Sequence, residues 1–267
     1  MTRRLEARTI ADFGEQWTNY PENDEFSGSP ALFNDFFNPL ITDRDVSGCR
    51  VADIGAGNGR WVNVIACGGA AHIVAVEPSE AFRVLQENTR RFSDRITYLK
   101  TTGDRLPPTG DLDYVFMIGV LHHIPDPDPV VAAAFRALRP GGKFAVWLYG
   151  REGNTLYLTF VRLLWWLTRR LPHRGLERLV RIIYPLFWCY MSVCRWVPLP
   201  LAEYVRRVML PLTPAKRQLV IYDQLNPAYA KYYKRDEAYA ALADQGFTDV
   251  RLHHRHGISW TVVGTKP

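Results

Sequence analysis

Ten residues constrain this chain more than any others: Val51-Ala-Asp-Ile-Gly-Ala-Gly-Asn-Gly-Arg60. A short apolar run carrying Asp53 breaks into Gly55, Gly57 and Gly59, and a helix-compatible segment follows from Trp61 to Ala66. The pattern predicts a buried parallel strand, a tight turn, and a helix whose first amides point at a ligand. Glycine permits positive φ and close backbone approach, and the exposed N–H groups of a helix start favour an anion. A second apolar strand, Ile73-Val-Ala-Val76, ends in Glu77, 22 residues after Gly55. A Rossmann-like unit places its ribose-binding carboxylate at that distance.

Strands are expected near 50–54, 72–77, 96–100, 112–118 and 143–149, with helices between them. Continuous apolar strands separated by helices specify a parallel sheet covered on both faces. Pro140-Gly-Gly142 breaks the helix of Val130–Leu138 from the strand Lys143–Tyr149. Near the end, Asp236 is expected to cap a helix through Leu242, stopped at Gly246. Phe247–His254 and Ile258–Val263 then read as a final hairpin turning at Gly257.

Four motifs in order resemble the class I S-adenosylmethionine (SAM)-dependent methyltransferases. Asp53-Ile-Gly-Ala-Gly-Asn-Gly59 is similar to their first motif, and Val76-Glu-Pro-Ser79 to the acidic end of their second strand. Gly103-Asp104 resembles their adenine-side acidic loop, and Leu138-Arg-Pro-Gly-Gly142 their turn into the fifth strand. Gly119-Val-Leu-His-His-Ile-Pro-Asp126 resembles a segment of the ubiquinone/menaquinone-type enzymes. The likeness covers about residues 45–150 and resumes near 233–265. It implies an α/β fold: a Rossmann-like, seven-stranded, mostly parallel sheet with helices on both faces, an antiparallel last strand, and a helical cap inserted after the fifth strand. The expected division is a leader or lid at 1–48, a SAM-binding core at 49–150, a cap at 151–232, and the last helix and hairpin at 233–267.

The resemblance also implies site roles. Gly55, Ala56 and Gly57 would bring amides to the carboxylate of SAM, and Asp53 would hold its ammonium directly or through water. Glu77, followed by Pro78, would accept from both ribose hydroxyls. Gly103 and Asp104 would meet the adenine amino group, and Ile118 and Gly119 would lie near the sulfonium. An NAD-dependent oxidoreductase shares the turn and Glu77, but this chain lacks the Gly-x-Gly-x-x-Gly spacing. Methyl transfer is an in-line displacement, so a base is needed only if the acceptor must lose a proton. His122 and His123, after the fourth strand, are the candidates for that catalytic role, with a structural role as the alternative. His253, His254 and His256 form a second cluster, in which alternation puts His254 and His256 on one face. No acid stands at metal-ligand spacing, so no metal is expected; His254 is a substrate candidate, as is Tyr222 before the last helix. Trp17 and Tyr20 in the aromatic leader either pack on the sheet or close over the site.

Charge singles out the stretch after the fifth strand. The chain is +6 overall, yet residues 151–220 hold twelve Arg/Lys against three Glu, leaving the remainder at −3. Four of the eight tryptophans, Trp165, Trp166, Trp188 and Trp196, lie in it, and Ile182–Cys194 contains no charge. Thirteen residues are too few to span a bilayer, which takes about 20. Apolar helical faces edged with Trp and Arg suit either a cap packed over the substrate or a cap that also touches an anionic membrane surface. The acceptor is therefore expected to be a small molecule, apolar or lipid-like. A nucleic-acid acceptor is disfavoured, because the arginines alternate with Leu and Trp and no Asn/Asp-Pro-Pro-aromatic motif follows the fourth strand. Four cysteines without CxxC spacing fit buried or inert thiols in a reducing cytoplasm. The basic N-terminus runs into Glu6 and Asp12 where a secretory signal needs apolar residues. The expected location is cytoplasmic, with peripheral contact at the inner face of the membrane left open. Oligomeric state has no signature in the sequence.

Overall fold

A computed structural model describes residues 2–21, 28–168, 173–225 and 229–267. Seven strands form one sheet: β1 Arg50–Ile54, β2 His72–Val76, β3 Ile96–Leu99, β4 Leu112–Ile118, β5 Leu138–Tyr149, β6 Thr248–Arg255 and β7 Ser259–Thr265. Their order is β3-β2-β1-β4-β5-β7-β6, parallel through β5, with β7 antiparallel to both β5 and β6. The order reverses between β1 and β4. A crevice opens there at the carboxyl ends of the strands, where open α/β sheets put their ligands.

Both faces of the central strands are buried, which is why β1 and β4 read as largely apolar runs, whereas the edge strand β6 is mostly polar and is exposed or half-buried along most of its length. In β4, Val115 and Met117 face one core while Phe116 and Ile118 face the other. The first core is closed by α5 (Asp128–Ala137) and α10 (Arg235–Ala243), through Val131, Ala134, Ala238 and Leu242. The second is closed by α3 (Arg60–Cys67) and α2 (Pro30–Phe37), through Trp61, Ile65, Phe33 and Phe37. The leader opens with α1 (Thr2–Asn19), and α4 (Phe82–Thr89) follows β2.

The cap follows β5. It consists of α6 (Thr155–Thr168), α7 (His173–Val193), α8 (Ala202–Tyr204) running into a π-helical turn at Val205–Met209, and α9 (Pro214–Leu225). It has its own cores: Leu158, Val161, Trp165, Leu176, Val180 and Ile221 in one, Met191, Cys194, Val205 and Met209 in another. No described helix is long and apolar enough to cross a membrane.

Several details differ from the sequence-based expectation. The cap of α10 is Lys234, whose backbone N–H donates to Glu237 at 2.8 Å; Asp236 lies in the first turn. β5 starts at Leu138, because Leu138 pairs with Leu112 across an irregular register that absorbs Pro140-Gly-Gly142. His256 sits in the hairpin turn at φ 50°, so it does not continue the alternation of His254. Cys67 and Cys189 are exposed and only Cys194 is buried. Trp165 belongs to the cap core, its Nε1 donating to the Gln224 carbonyl at 2.8 Å. The expected break at Leu171-Pro172, together with Arg169, Arg170, Asn226 and Pro227, lies outside the described residues, as does the side chain of Trp166.

Candidate active site

The glycine turn is organised by its own hydrogen bonds. The amides of Gly55 and Ala56 donate to the Val76 carbonyl at 2.8 and 3.0 Å, and that of Gly59 to the Ala56 carbonyl at 2.9 Å. The Gly57 amide donates to Glu77 Oε2 at 2.8 Å. In this structure these four N–H groups donate inside the turn. The turn also contributes shape. At Gly57, φ is 56°, and a Cβ there would stand 3.1 Å from the Trp17 indole nitrogen. A side chain would therefore separate α1 from the turn.

Glu77 is buried and locked. Besides Gly57, its Oε1 accepts from the Ser79 amide at 2.9 Å and from the Ser79 hydroxyl. That leaves lone pairs on a fixed carboxylate lining the cavity described below. Asp53, 1% exposed, is the opposite case: its Oδ2 has no hydrogen-bond partner. Burial, reinforced by the nearby Glu77 and only partly offset by Arg60, pushes its pKa up to about 7. An orphaned buried carboxylate oxygen calls for a cationic or donor ligand.

Helix α1 lies across this corner. Gly14 allows it, since a Cβ there would come within 2.8 Å of the Ser79 Cβ. Trp17 is covered by the Arg60 guanidinium at 5.2 Å from its ring centre, and Phe13 meets the His123 ring edge-on at 4.8 Å.

Beyond β4 the chain forms a short 3-10 turn at Leu121–His123. His122 is fully buried, 3.8 Å centre to centre from Tyr149, and neither ring nitrogen has a partner of good hydrogen-bond geometry. Burial, then His123, drive its pKa well below the ordinary imidazole range, against a smaller upward pull from the Trp147 backbone. His123 has a directed ring: Nδ1 lies 2.7 Å from the Tyr229 carbonyl. A carbonyl only accepts, so Nδ1 carries the proton and the neutral ring presents the Nε2 lone pair. Burial brings its pKa down to about 4 despite the Tyr229 bond.

A cavity of about 550 Å³ joins these elements to the cap. At one end it is lined by Gly55, Ala56, Gly57, Glu77, Pro78 and Gly103, in the middle by Ile118, Gly119, His123, Trp147 and Tyr149, and at the far end by apolar cap residues such as Val161, Met191, Val205 and Met209. Trp17 lines it as well. Tyr20, Asp53, Asp104, His122, Tyr222 and His254 do not. Asp104 is exposed outside it, while the adjacent Gly103 forms the wall. Tyr222 packs into the cap core. His254 stacks on its cross-strand partner Trp260 at 4.1 Å.

Residues 52–146 match a family model described as a methyltransferase domain. The chain is 30% identical over 184 residues to a ubiquinone biosynthesis O-methyltransferase of Aromatoleum aromaticum, covering 66% of this chain and 76% of that protein. The chain belongs to the class I SAM-dependent methyltransferases. Its cofactor is SAM. It is also 33% identical over 105 residues to the 27-O-demethylrifamycin SV methyltransferase of Amycolatopsis mediterranei, 38% of each chain. Among solved structures, a SAM-dependent methyltransferase of Thermotoga maritima shares the fold, with a TM-score of 0.52 at 16% identity over 96% of this chain and 99% of that one.

Three residues of this methyltransferase escape a reading of the sequence. Gly14 did carry a signal, since a glycine inside a helix costs stability unless another chain needs the space. Lys216 lines the far cavity yet is buried. Arg255 lines it at 2% exposure. Nothing in the local sequence separates Arg255 from a solvated cation, because the carboxylate that holds it, Asp35, is 220 residues away.

Proposed function

We propose that this methyltransferase transfers a methyl group to an oxygen of a small, apolar or lipid-like acceptor held between sheet and cap. The observation that carries the reading is the continuous cavity running from the glycine turn, past His123, into the apolar cap. SAM supplies an electrophilic methyl group. In this reading Asp53, which stands behind the cavity wall beside Gly55, takes its ammonium directly or through water, which fits the orphaned oxygen, Glu77 takes the ribose hydroxyls, and Pro78 and Gly103 line the adenine end. Ile118 and Gly119 flank the reacting centre, and Phe13 and Trp17 exclude water. His123 accepts the proton of an acceptor hydroxyl at Nε2, held by Tyr229; His122 supports it from the core. The names of the ubiquinone and rifamycin relatives, both O-methylating, support an oxygen acceptor.

The cap surface supports delivery from a membrane. Ile182, Leu186 and Trp196 are 74, 73 and 86% exposed, and Phe187, Trp188 and Val193 are exposed beside them. Phe187 and Tyr190 also line the cavity, so the apolar surface and the cavity wall share residues. The exposed Arg178, Arg181 and Arg195 edge this surface, which suits anionic lipid headgroups. The test is incubation with methyl-labelled SAM and either a total lipid extract or a water-soluble extract of the source cells. Label in an organic-soluble product supports the reading; label confined to water-soluble products or to nucleic acid overturns it.

A further inference from the structure

Arg255 stands where β6 enters the hairpin, and among the described residues it is the most deeply buried cation facing the cavity. Its Nε donates to the Asp35 carbonyl at 3.0 Å and to Asp35 Oδ2 at 2.9 Å, and Nη2 also bonds Oδ2. Its guanidinium stacks over Phe36 at 4.4 Å and lies 5.9 Å from the Trp147 ring centre. Nη1 has no hydrogen-bond partner among the described residues. Trp147 in turn lies against Gly119, 3.6 Å from where a Cβ would stand, so Arg255 is one aromatic ring away from the middle of the cavity. His256 adds a second hydrogen bond to Asp35, Nε2 to Oδ1 at 2.9 Å, and its Nδ1 lies 3.8 Å from Glu203 of the cap.

A purely structural ion pair does not need this placement. Burying a guanidinium is costly, and its remaining N–H groups are stabilising only if something accepts from them. Asp35 uses one edge of the fork, and the cavity is what the residue otherwise faces. Of the wall residues beside it, Phe36, Trp147 and Ile258 have no acceptor side chain, and the Ser259 hydroxyl, which donates to the Arg255 carbonyl at 3.4 Å, makes no hydrogen bond to the guanidinium. We propose that Arg255 anchors an anionic oxygen on the head of the acceptor, a carboxylate or an ionised phenol, while the apolar cap takes the rest. Asp35 holds the guanidinium in place and at the same time lowers its pull on that anion. The assignment rests on the acceptor reading above and narrows it, from an apolar molecule to an acid-headed amphiphile.

The test uses two probe pairs, dodecanoate with its methyl ester and 4-octylphenol with its methyl ether, titrated by calorimetry below their aggregation concentrations. The wild type should bind at least one acid about tenfold more tightly than its capped partner, the effect of one charge-assisted hydrogen bond in a water-poor site. Dodecanoate alone showing preference assigns a carboxylate, and 4-octylphenol alone a phenol. Arg255→Gln should abolish the preference. Asp35→Asn breaks the same ion pair but leaves the guanidinium, so it should strengthen acid binding. A structural role would make the two variants weaken binding alike. The proposal is overturned if neither acid is preferred, if Arg255→Gln keeps the preference, or if Asp35→Asn lowers it. Should Arg255→Gln fail to fold, the wild type and Asp35→Asn decide by the same criteria. SAM binding, titrated in parallel, separates the two readings: its absence sinks methyl transfer, whereas the acid preference alone decides the anchor.

Discussion

Asp53 carries the most informative chemistry at the scale of single residues. Its pKa, raised to about 7 by burial and by Glu77, means that folding favours the protonated carboxyl. The sign follows from linkage: the contribution to stability is complete below the ordinary value of 3.8 and is lost as pH rises through about 7. A cationic ammonium beside Asp53 reverses that preference. SAM binding below neutral pH should therefore release a proton, and affinity should fall as the solution is acidified. Calorimetry in buffers of different ionisation enthalpy measures the release directly, and Asp53→Asn should eliminate it; proton-neutral binding by the wild type at pH 6 would refute the assignment. His123 is shifted the other way, down to about 4, so its neutral form favours the fold above 6.5 and that contribution fades as pH falls toward 4. Turnover should show no imidazole-like drop near pH 6.5. His123→Ala should lower turnover by roughly 10²–10⁴-fold with SAM affinity near normal. Full turnover by that variant would make the ring structural.

Helix α1 is the element through which the leader becomes part of the site. It reaches Ser79 only because residue 14 lacks a side chain, and Ser79 cannot retreat while it hydrogen-bonds Glu77. Gly14→Val should push α1 away and take Trp17 off Gly57. The expected cost is about 1–3 kcal/mol of stability from overpacking, together with weaker SAM binding. Thermal unfolding and a SAM titration on the variant check both. A leader that only decorates the fold predicts unchanged affinity. Helix α7 is an element of mixed loyalty: Leu176 and Val180 are buried in the cap core, whereas Ile182 and Leu186, beside Pro185 inside the helix, are exposed.

The whole molecule has an uneven charge distribution, with the basic residues gathered in the cap and a net −3 elsewhere. If the exposed face of α7 meets a membrane, the protein should co-sediment with anionic vesicles. Each arginine near such a surface adds about 1 kcal/mol at low salt, so high salt should release part of the bound protein while apolar insertion persists. The triple variant Ile182→Ser/Leu186→Ser/Trp196→Ser should stay in the supernatant yet bind SAM as the wild type does. Trp165→Ala is no test of the surface, because Trp165 is buried in the cap core. Equal pelleting of wild type and triple variant would assign the exposed face another role.

Short-range pattern was enough to read the strands of the parallel part of the sheet, while the seven-stranded whole and its antiparallel last strand followed from the resemblance to known methyltransferases. Both faces of β1, β4 and β5 are covered, so the runs were largely apolar, and the glycine turn with Glu77 at the right distance marked the ligand end of that sheet. The cap helices were legible too, but not the direction each side faces: an apolar face looks the same in sequence whether it meets a core, a cavity or a lipid, and only the tertiary structure buries Trp165 while exposing Trp196. The same holds for polar partners. The hydrogen bonds that occupy the glycine-turn amides come from Val76 and Glu77, the acceptor that directs His123 comes from Tyr229, and the carboxylate that holds Arg255 is 220 residues away in α2. Such pairs have no local signature, because hydrogen bonding and desolvation depend on distance in space, and that distance exists only once the chain has folded.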